Sequence, residues 1–135
     1  MKLAVSASGS DLSSQMDPRF GRCPYFVVVD TETMAFEAIP NTAVGSAHGA
    51  GIQAAQLVAS MGVSVVLTGN VGPNAYSALS ASSVQVVTGC AGTVGDAVER
   101  FKRGGLQVTG RPTVGGHFGT RRRGAGQGRG GRRRT

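Results

Sequence analysis

Segments with helical periodicity alternate with short β-branched runs over residues 50–103, and this alternation constrains the fold more than any other feature. The clearest helix has apolar residues at i, i+3, i+4 and i+7, namely Val94, Ala97, Val98 and Phe101. Two more helices are predicted at about 52–61 and 73–80, with buried strands at 63–67 and 84–88. Because strands that alternate with helices pair in parallel through right-handed crossovers, the sequence predicts an α/β domain.

The first forty residues predict strands instead of further helices. An apolar run at 2–7 and a β-branched, aromatic run at 25–29 have strand character, and a turn then leads to a third strand at 35–39. This hairpin adds an antiparallel edge to the parallel strands. The element order β-β-β-α-β-α-β-α predicts a three-layer α/β domain with a mixed five-stranded sheet.

Basic residues are distributed very unevenly along the chain. Residues 1–103 contain 6 basic and 7 acidic side chains, whereas residues 104–135 contain 8 arginines, no acidic residue and 11 of the 22 glycines. A segment of arginine and glycine cannot bury enough apolar surface to form a core. The sequence therefore predicts a domain at 1–104 followed by a flexible Gly/Arg-rich tail at 105–135.

Several protein classes are excluded by simple counts. No apolar run approaches the ~20 residues that a membrane span needs, and the N-terminus lacks the apolar region of a signal peptide. Cys23 and Cys90 are too few for a disulfide scaffold. We expect a cytoplasmic protein without a membrane partner, present as a monomer or a weak dimer.

The residues needed for common catalytic chemistry are missing. The ends of the predicted parallel strands carry no carboxylate, and His48 is the one histidine before the tail. The Gly-rich segment 49–54 fits a dinucleotide motif, but it does not directly follow the first strand and no acid comes about 20 residues later. The sequence therefore predicts a binding protein and no enzyme.

Four loops rich in glycine and small residues follow strands or precede helices, at 9–23, 41–51, 69–73 and 89–93. In open α/β sheets the ligand binds at the carboxyl ends of the strands. Exposed backbone N–H groups and helix N-termini favour anions there. Arg19 and Arg22 add two guanidinium groups, so we expect an anion pocket at this edge.

Donors to soft metals occur in the same loops. They are Cys23, His48 and Cys90, with Met16 as a weaker candidate, and none has the C-x-x-C spacing of a zinc site. Each cysteine is equally well explained as a small buried hydrophobe, and His48 as a loop or capping residue. An anionic ligand that brings its own sulfide fits this set better than a bare divalent ion.

Three segments resemble the dinitrogenase iron–molybdenum cofactor biosynthesis family: residues 17–26, 49–55 and 67–75. This family includes carriers of the NifX and NafY type, the C-terminal part of NifB-type proteins and small stand-alone members of the orange-protein type. The resemblance covers about residues 1–103. It implies a ribonuclease H-like α/β domain that binds a metal–sulfur cluster non-covalently, either an iron–molybdenum cofactor precursor or a molybdenum–copper sulfide cluster.

The resemblance and the loop pattern together select the candidate site residues. Nitrogen-fixation carriers often show His-Phe-Gly where this chain has Arg19-Phe20-Gly21, which replaces a metal donor by a cation and leaves charge recognition intact. A His-Phe-Gly at 117–119 lies outside the matched segments and is interpreted as coincidence. Possible direct metal ligands are Cys23, His48 and Cys90. The candidate cluster-binding residues are Arg19, Phe20, Gly21, Arg22, Ser46, His48, Gly49, Gly51, Asn70 and Gly72.

The Gly/Arg-rich tail allows a second interpretation. Runs such as 121–123 and 132–134 resemble segments that bind single-stranded nucleic acid by charge, although such segments usually interleave aromatic residues and this one has Phe118 alone. An acidic protein partner is a further possibility. The main hypothesis is a non-catalytic carrier of an anionic metal–sulfur cluster, and the alternative is a nucleic-acid-binding module that acts through the tail.

Overall fold

The computed structural model describes residues 1–43, 49–110 and 112–113. The described part contains five strands and three helices. In chain order they are β1 (Lys2–Ala7), β2 (Tyr25–Asp30), β3 (Phe36–Pro40), α1 (Ala50–Ser60), β4 (Val65–Leu67), α2 (Pro73–Ala81), β5 (Gln85–Val87) and α3 (Val94–Lys102). None of these helices is both long enough and apolar enough to cross a lipid bilayer.

The five strands form one mixed sheet in the order β3-β2-β1-β4-β5. Strands β1, β4 and β5 are parallel, whereas β2 pairs antiparallel with both β1 and β3. Five of the six residues of β1 are buried, as expected for the central strand. The predicted α/β class and the mixed five-stranded sheet are confirmed.

Helices cover both faces of the sheet. Val58 of α1 and Leu79 of α2 pack with Val66 on one face, while Val98 of α3 packs with Leu3 and Leu67 on the other. These side chains are fully buried, and each such burial stabilises the fold by roughly 1.5–3 kcal/mol. The domain is therefore a helix–sheet–helix arrangement in three layers.

Strands β1, β3, β4 and β5 all run in the same direction, so the loops that follow them meet at one edge of the sheet. Buried hydrogen bonds of Ser6, at the end of β1, hold the long loop that follows β1 at this edge of the sheet. The hydroxyl oxygen of Ser6 lies 2.7 Å from the carbonyl oxygen of Asp17 and 2.8 Å from the hydroxyl oxygen of Thr68. These buried bonds fix the loop against the end of β4.

The chain beyond α3 stays in contact with the domain as far as it is described. The backbone N–H of Thr109 donates to the carbonyl of Val86 in the edge strand β5, and the N–H of Thr113 donates to the carbonyl of Val71. Residues 105–110 and 112–113 belong to the segment expected to be a tail, and these bonds attach them to β5 and to the turn between β4 and α2. A domain boundary at 104 stays a prediction.

Candidate functional site

A cavity of about 430 Å³ lies at the edge where the loops meet. Its walls are the loop before β2, the N-terminal turn of α1, and the turn that leads from β4 into α2. The lining residues are Arg19, Phe20, Gly21, Arg22, Gly49, Ala50, Gly51, Ile52, Asn70, Gly72, Pro73, Asn74 and Ala75. Among these described residues there are two arginines and no carboxylate.

The first turns of two helices, α1 and α2, line the cavity. Gly49 is the N-cap residue of α1 and Gly72 is that of α2, and neither first turn has an acidic residue or a side chain that caps it within the described chain. Helix α3 is different, because the hydroxyl of Thr93 accepts a bond from Asp96 N and Asp96 adds a carboxylate. Uncapped N–H groups with a positive helix dipole behind them attract anions. The N–H groups in the first turns of these two helices are thus free of side-chain caps from the described residues, although Pro73 at the start of α2 supplies no N–H.

Glycines allow the three walls to approach one another closely. A Cβ on Gly21 would lie 3.1 Å from the N and Cα atoms of Gly51, and a Cβ on Gly51 would lie 3.2 Å from the Cβ of Ala75. A Cβ on Gly69 would lie 2.7 Å from the Cα of Pro18. The cavity walls are therefore in backbone contact, which brings N–H groups of separate segments to one site.

Arg19 is held in place by Asp17. The guanidinium donates from Nε to Oδ1 at 3.1 Å and from Nη2 to Oδ2 at 3.0 Å, and the backbone N–H of Arg19 donates to Oδ1 at 2.9 Å. The side chain of Arg19 is 64% exposed, whereas that of Asp17 is 8% exposed. The hydrogen bond from the Arg19 side chain is the main cause that lowers the pKa of Asp17. The Arg19–Asp17 ion pair fixes the direction of the guanidinium. Because the two charges are opposite, the pair adds little net charge to the cavity.

The loop that carries Arg19 is bonded to the turn between β4 and α2, and it also packs on the core. Arg19 pairs with Asn70 as an isolated parallel bridge, and Asn70 N donates to Pro18 O at 2.8 Å. Phe20 is 2% exposed and its ring centroid lies 5.2 Å from that of Phe26. Phe20 thus serves as the buried anchor of a loop whose arginines reach solvent.

Cys23 lies beneath this wall and does not line the cavity. Its side chain is fully buried, and the thiol donates to the carbonyl oxygen of Phe20 at 3.3 Å. Burial is the main cause that raises the pKa of Cys23 to about 12. A protonated, enclosed thiol is a poor metal ligand.

Cys90 lies on the opposite face of the sheet, in the cluster covered by α3, together with Met16. Burial also raises the pKa of Cys90. The structure therefore separates the two cysteines by the sheet. Within the ranges that are described, no group of three or more His, Cys, Asp or Glu residues could hold a metal ion.

The cavity brings together every described candidate for cluster binding that the sequence selected. Ser46 and His48 lie outside the described residues, and the binding roles of all these candidates stay predictions. Ala50, Ile52 and residues 73–75 also line the cavity, although the sequence pattern did not select them as site residues. They belong to the first turns of α1 and α2. The loop pattern had predicted that both helices begin at this edge of the sheet, and that position is the feature that could have identified these residues.

Comparisons with known proteins agree with one another. The family model described as "Dinitrogenase iron-molybdenum cofactor" matches residues 1–104. An uncharacterized protein of Methanocaldococcus jannaschii is 34% identical over 110 residues, which cover 79% of this chain and 90% of that protein.

Two solved structures share the fold. The apo form of the orange protein from Desulfovibrio gigas has a TM-score of 0.82 and 44% identity, covering 84% of this chain and 96% of that chain. A NifB-like protein from Thermotoga, solved by NMR, has a TM-score of 0.70 and 38% identity, covering 79% of this chain and 91% of that chain.

Proposed function

The chain belongs to the dinitrogenase iron–molybdenum cofactor family, and from this premise we propose that it is a non-catalytic carrier of an anionic metal–sulfur cluster. The ribonuclease H-like class and the cytoplasmic location predicted from the sequence form part of the same proposal. Nucleic-acid binding through residues 105–135 remains the alternative hypothesis, and the comparisons lend it no support.

The observation that carries the proposal is the chemistry of the cavity wall. Two uncapped helix N-termini and two arginines line it, and no carboxylate is among its described residues. Backbone N–H groups and guanidinium groups donate hydrogen bonds and do not ligate metals. Such a wall suits a ligand whose metals are already saturated by sulfide and whose surface is negative.

The size and the donor set favour a small cluster held through its outer atoms. A cavity of about 430 Å³ falls in the ~300–1,000 Å³ range of small-molecule sites. Neither thiol reaches the wall, and Arg19 stands where nitrogen-fixation carriers often have a histidine. We therefore favour the molybdenum–copper sulfide type over an iron–molybdenum cofactor precursor, because no thiol among the described residues lines the cavity wall to ligate iron. His48 stays a candidate ligand.

The test is anaerobic loading of the full chain. Tetrathiomolybdate and a copper salt are titrated together into the protein, and the visible absorption, bound metal and acid-labile sulfide are measured after gel filtration. We expect saturable uptake of molybdenum, copper and sulfide in a fixed ratio. A parallel titration with ferrous iron, sulfide and molybdate provides the iron-containing comparison. Protein that stays colourless and free of metal in both titrations would contradict the proposal.

A further inference from the structure

Thr113, the last residue that the structure describes, is bonded to the turn between β4 and α2. The chain after α3 first contacts β5, where the N–H of Thr109 donates to the carbonyl oxygen of Val86 at 2.6 Å. Four residues later the N–H of Thr113 donates to the carbonyl oxygen of Val71. Because the family model matches residues 1–104, the match assigns Thr113 no role.

Thr113 satisfies both backbone polar groups of Val71. Its N–H donates to Val71 O at 2.9 Å, and its hydroxyl oxygen accepts a bond from Val71 N at 2.9 Å. Val71 is 1% exposed, so water has little access to these two groups. A buried N–H or C=O without a partner costs free energy. The bonds to Thr113 therefore hold this part of the turn in one conformation.

Asn70, the residue before Val71, is held by a different segment. Asn70 N donates to Pro18 O at 2.8 Å, and Asn70 pairs with Arg19 as an isolated parallel bridge. Two successive N–H groups of the turn are thus bonded to two separate segments, the loop that carries Arg19 and the chain after α3. A rotation of the turn about its backbone would break at least one of these bonds.

The N–H groups that follow Val71 have no acceptor among the described residues. They belong to Gly72, Asn74 and Ala75, and we call them the α2 donors. All three residues line the cavity. Unpaired N–H groups at the start of a helix, with the helix dipole behind them, suit an anion. The position of the α2 donors depends on Val71, which directly precedes them.

We propose that Thr113 is a positioning residue for the cluster, because it holds Val71 and thereby fixes the α2 donors that receive the negative outer sulfides. This inference rests on the proposed function. Thr113 is not among the described residues that line the cavity, so it acts through Val71 and not by contact with the ligand. Without its hydroxyl the turn populates other conformations. The apparent affinity then falls with the fraction of molecules that keep the binding geometry.

The test compares full-length variants by equilibrium titration with the preassembled tetrathiomolybdate–copper anion, followed by visible absorption. Thr113→Val keeps the shape of the side chain and removes the acceptor of Val71 N. We expect its dissociation constant to rise about tenfold, which corresponds to one hydrogen bond at the upper end of its net contribution. Thr113→Ser keeps the hydroxyl and should stay within about twofold of the natural chain. Thermal melting verifies that both variants fold.

Thr109→Val is the matched control variant. It also removes a threonine hydroxyl that accepts a bond from a backbone N–H, that of Thr88 at 3.0 Å. This bond lies just after β5, and neither residue lines the cavity. We expect Thr109→Val to lower Tm about as much as Thr113→Val does, and to change the dissociation constant less than about twofold.

Amide hydrogen exchange, followed by NMR, tests the role of Thr113 without any cluster. The Val71 amide should exchange slowly in the natural chain and in Thr113→Ser, and about tenfold or more faster in Thr113→Val. The amides of β1, the central strand, report on the whole fold and should change less than the Val71 amide. A general loss of stability would accelerate both sets alike and would overturn the positioning role.

The titrations decide the inference in the same way. Unchanged affinity in Thr113→Val would overturn it, as would a Thr113→Ser variant that binds as weakly as the valine variant. An equally large loss in Thr109→Val would overturn it too, because any loosening of the chain after α3 would then have the same effect. If the natural chain itself takes up no cluster, the proposed function fails, and the inference fails with it.

Discussion

The backbones of Gly21 and Gly51 are in direct contact, because a Cβ on Gly21 would lie 3.1 Å from both the N and the Cα atoms of Gly51. These glycines belong to the loop before β2 and to the first turn of α1. Their contact joins the arginine-bearing wall of the cavity to a helix N-terminus. The geometry of the proposed site therefore requires a residue without a side chain at both positions.

Gly21→Ala is expected to destabilise the protein, because backbone atoms cannot move aside as a flexible side chain can. Overpacking of this kind costs about 1–3 kcal/mol, which lowers Tm by roughly 4–8 °C per kcal/mol in a domain of this size. Circular dichroism during heating measures the effect. Gly72→Ala is the matched control, since it also lines the cavity but has nothing within 4 Å of the added Cβ and a φ of −81°. Equal melting temperatures for the two variants would contradict the close contact.

Arg19→Ala combined with Arg22→Ala is expected to weaken cluster binding at least tenfold at low salt. A charge-assisted hydrogen bond contributes about 1.5–3 kcal/mol, and added salt should reduce the loss. Cys23→Ala and Cys90→Ala should stay within about twofold of the natural chain, because neither thiol lines the cavity. Equilibrium titration followed by visible absorption compares the variants. Loss of binding in a single cysteine variant, with binding retained in the double arginine variant, would instead indicate direct thiolate ligation.

Asp17→Asn is expected to lower stability at neutral pH but not in acid. The hydrogen bond from Arg19 lowers the pKa of Asp17 in the folded state. The unfolded chain thus binds a proton more readily, and the stabilisation present above about pH 4 is lost as the pH falls through the folded pKa. Urea unfolding at pH 7 and near pH 3 measures the difference between the two chains. A difference that is as large at pH 3 as at pH 7 would show that the carboxylate charge is not its cause.

Both thiols are expected to resist alkylation in the folded protein. A pKa of about 12 leaves about one Cys23 in ten thousand ionised at pH 8. Iodoacetamide labelling followed by mass spectrometry should find Cys23 and Cys90 unmodified until urea is added. Stability should also fall as the pH rises from about 9 toward 12, because the unfolded chain loses these protons first. Rapid labelling of Cys23 without urea would show that its thiol is accessible to a ligand.

The sequence alone was enough to predict the elements and their class. The apolar spacing from Val94 to Phe101 and the β-branched run from Tyr25 reflect interactions between near neighbours, so local pattern predicts α3 and β2. The alternation of such segments then implies parallel strands, and parallel strands place their following loops at one edge. For the same reason the loop pattern could place Arg19, Gly51 and Asn70 at one edge of the sheet, where they line one cavity.

Tertiary structure alone decided which groups at that edge face the cavity. Cys23 and Cys90 lie in similar glycine-containing loops, yet they are buried on opposite faces of the sheet, because burial depends on how distant elements pack. Thr109 and Thr113 lie in a polar, glycine-rich stretch without periodicity. They bind β5, Thr88 and Val71 through backbone and hydroxyl hydrogen bonds to residues 21 or more positions away. Such bonds form only when two segments that are distant in sequence come together in the fold. The local sequence of either segment therefore does not predict them.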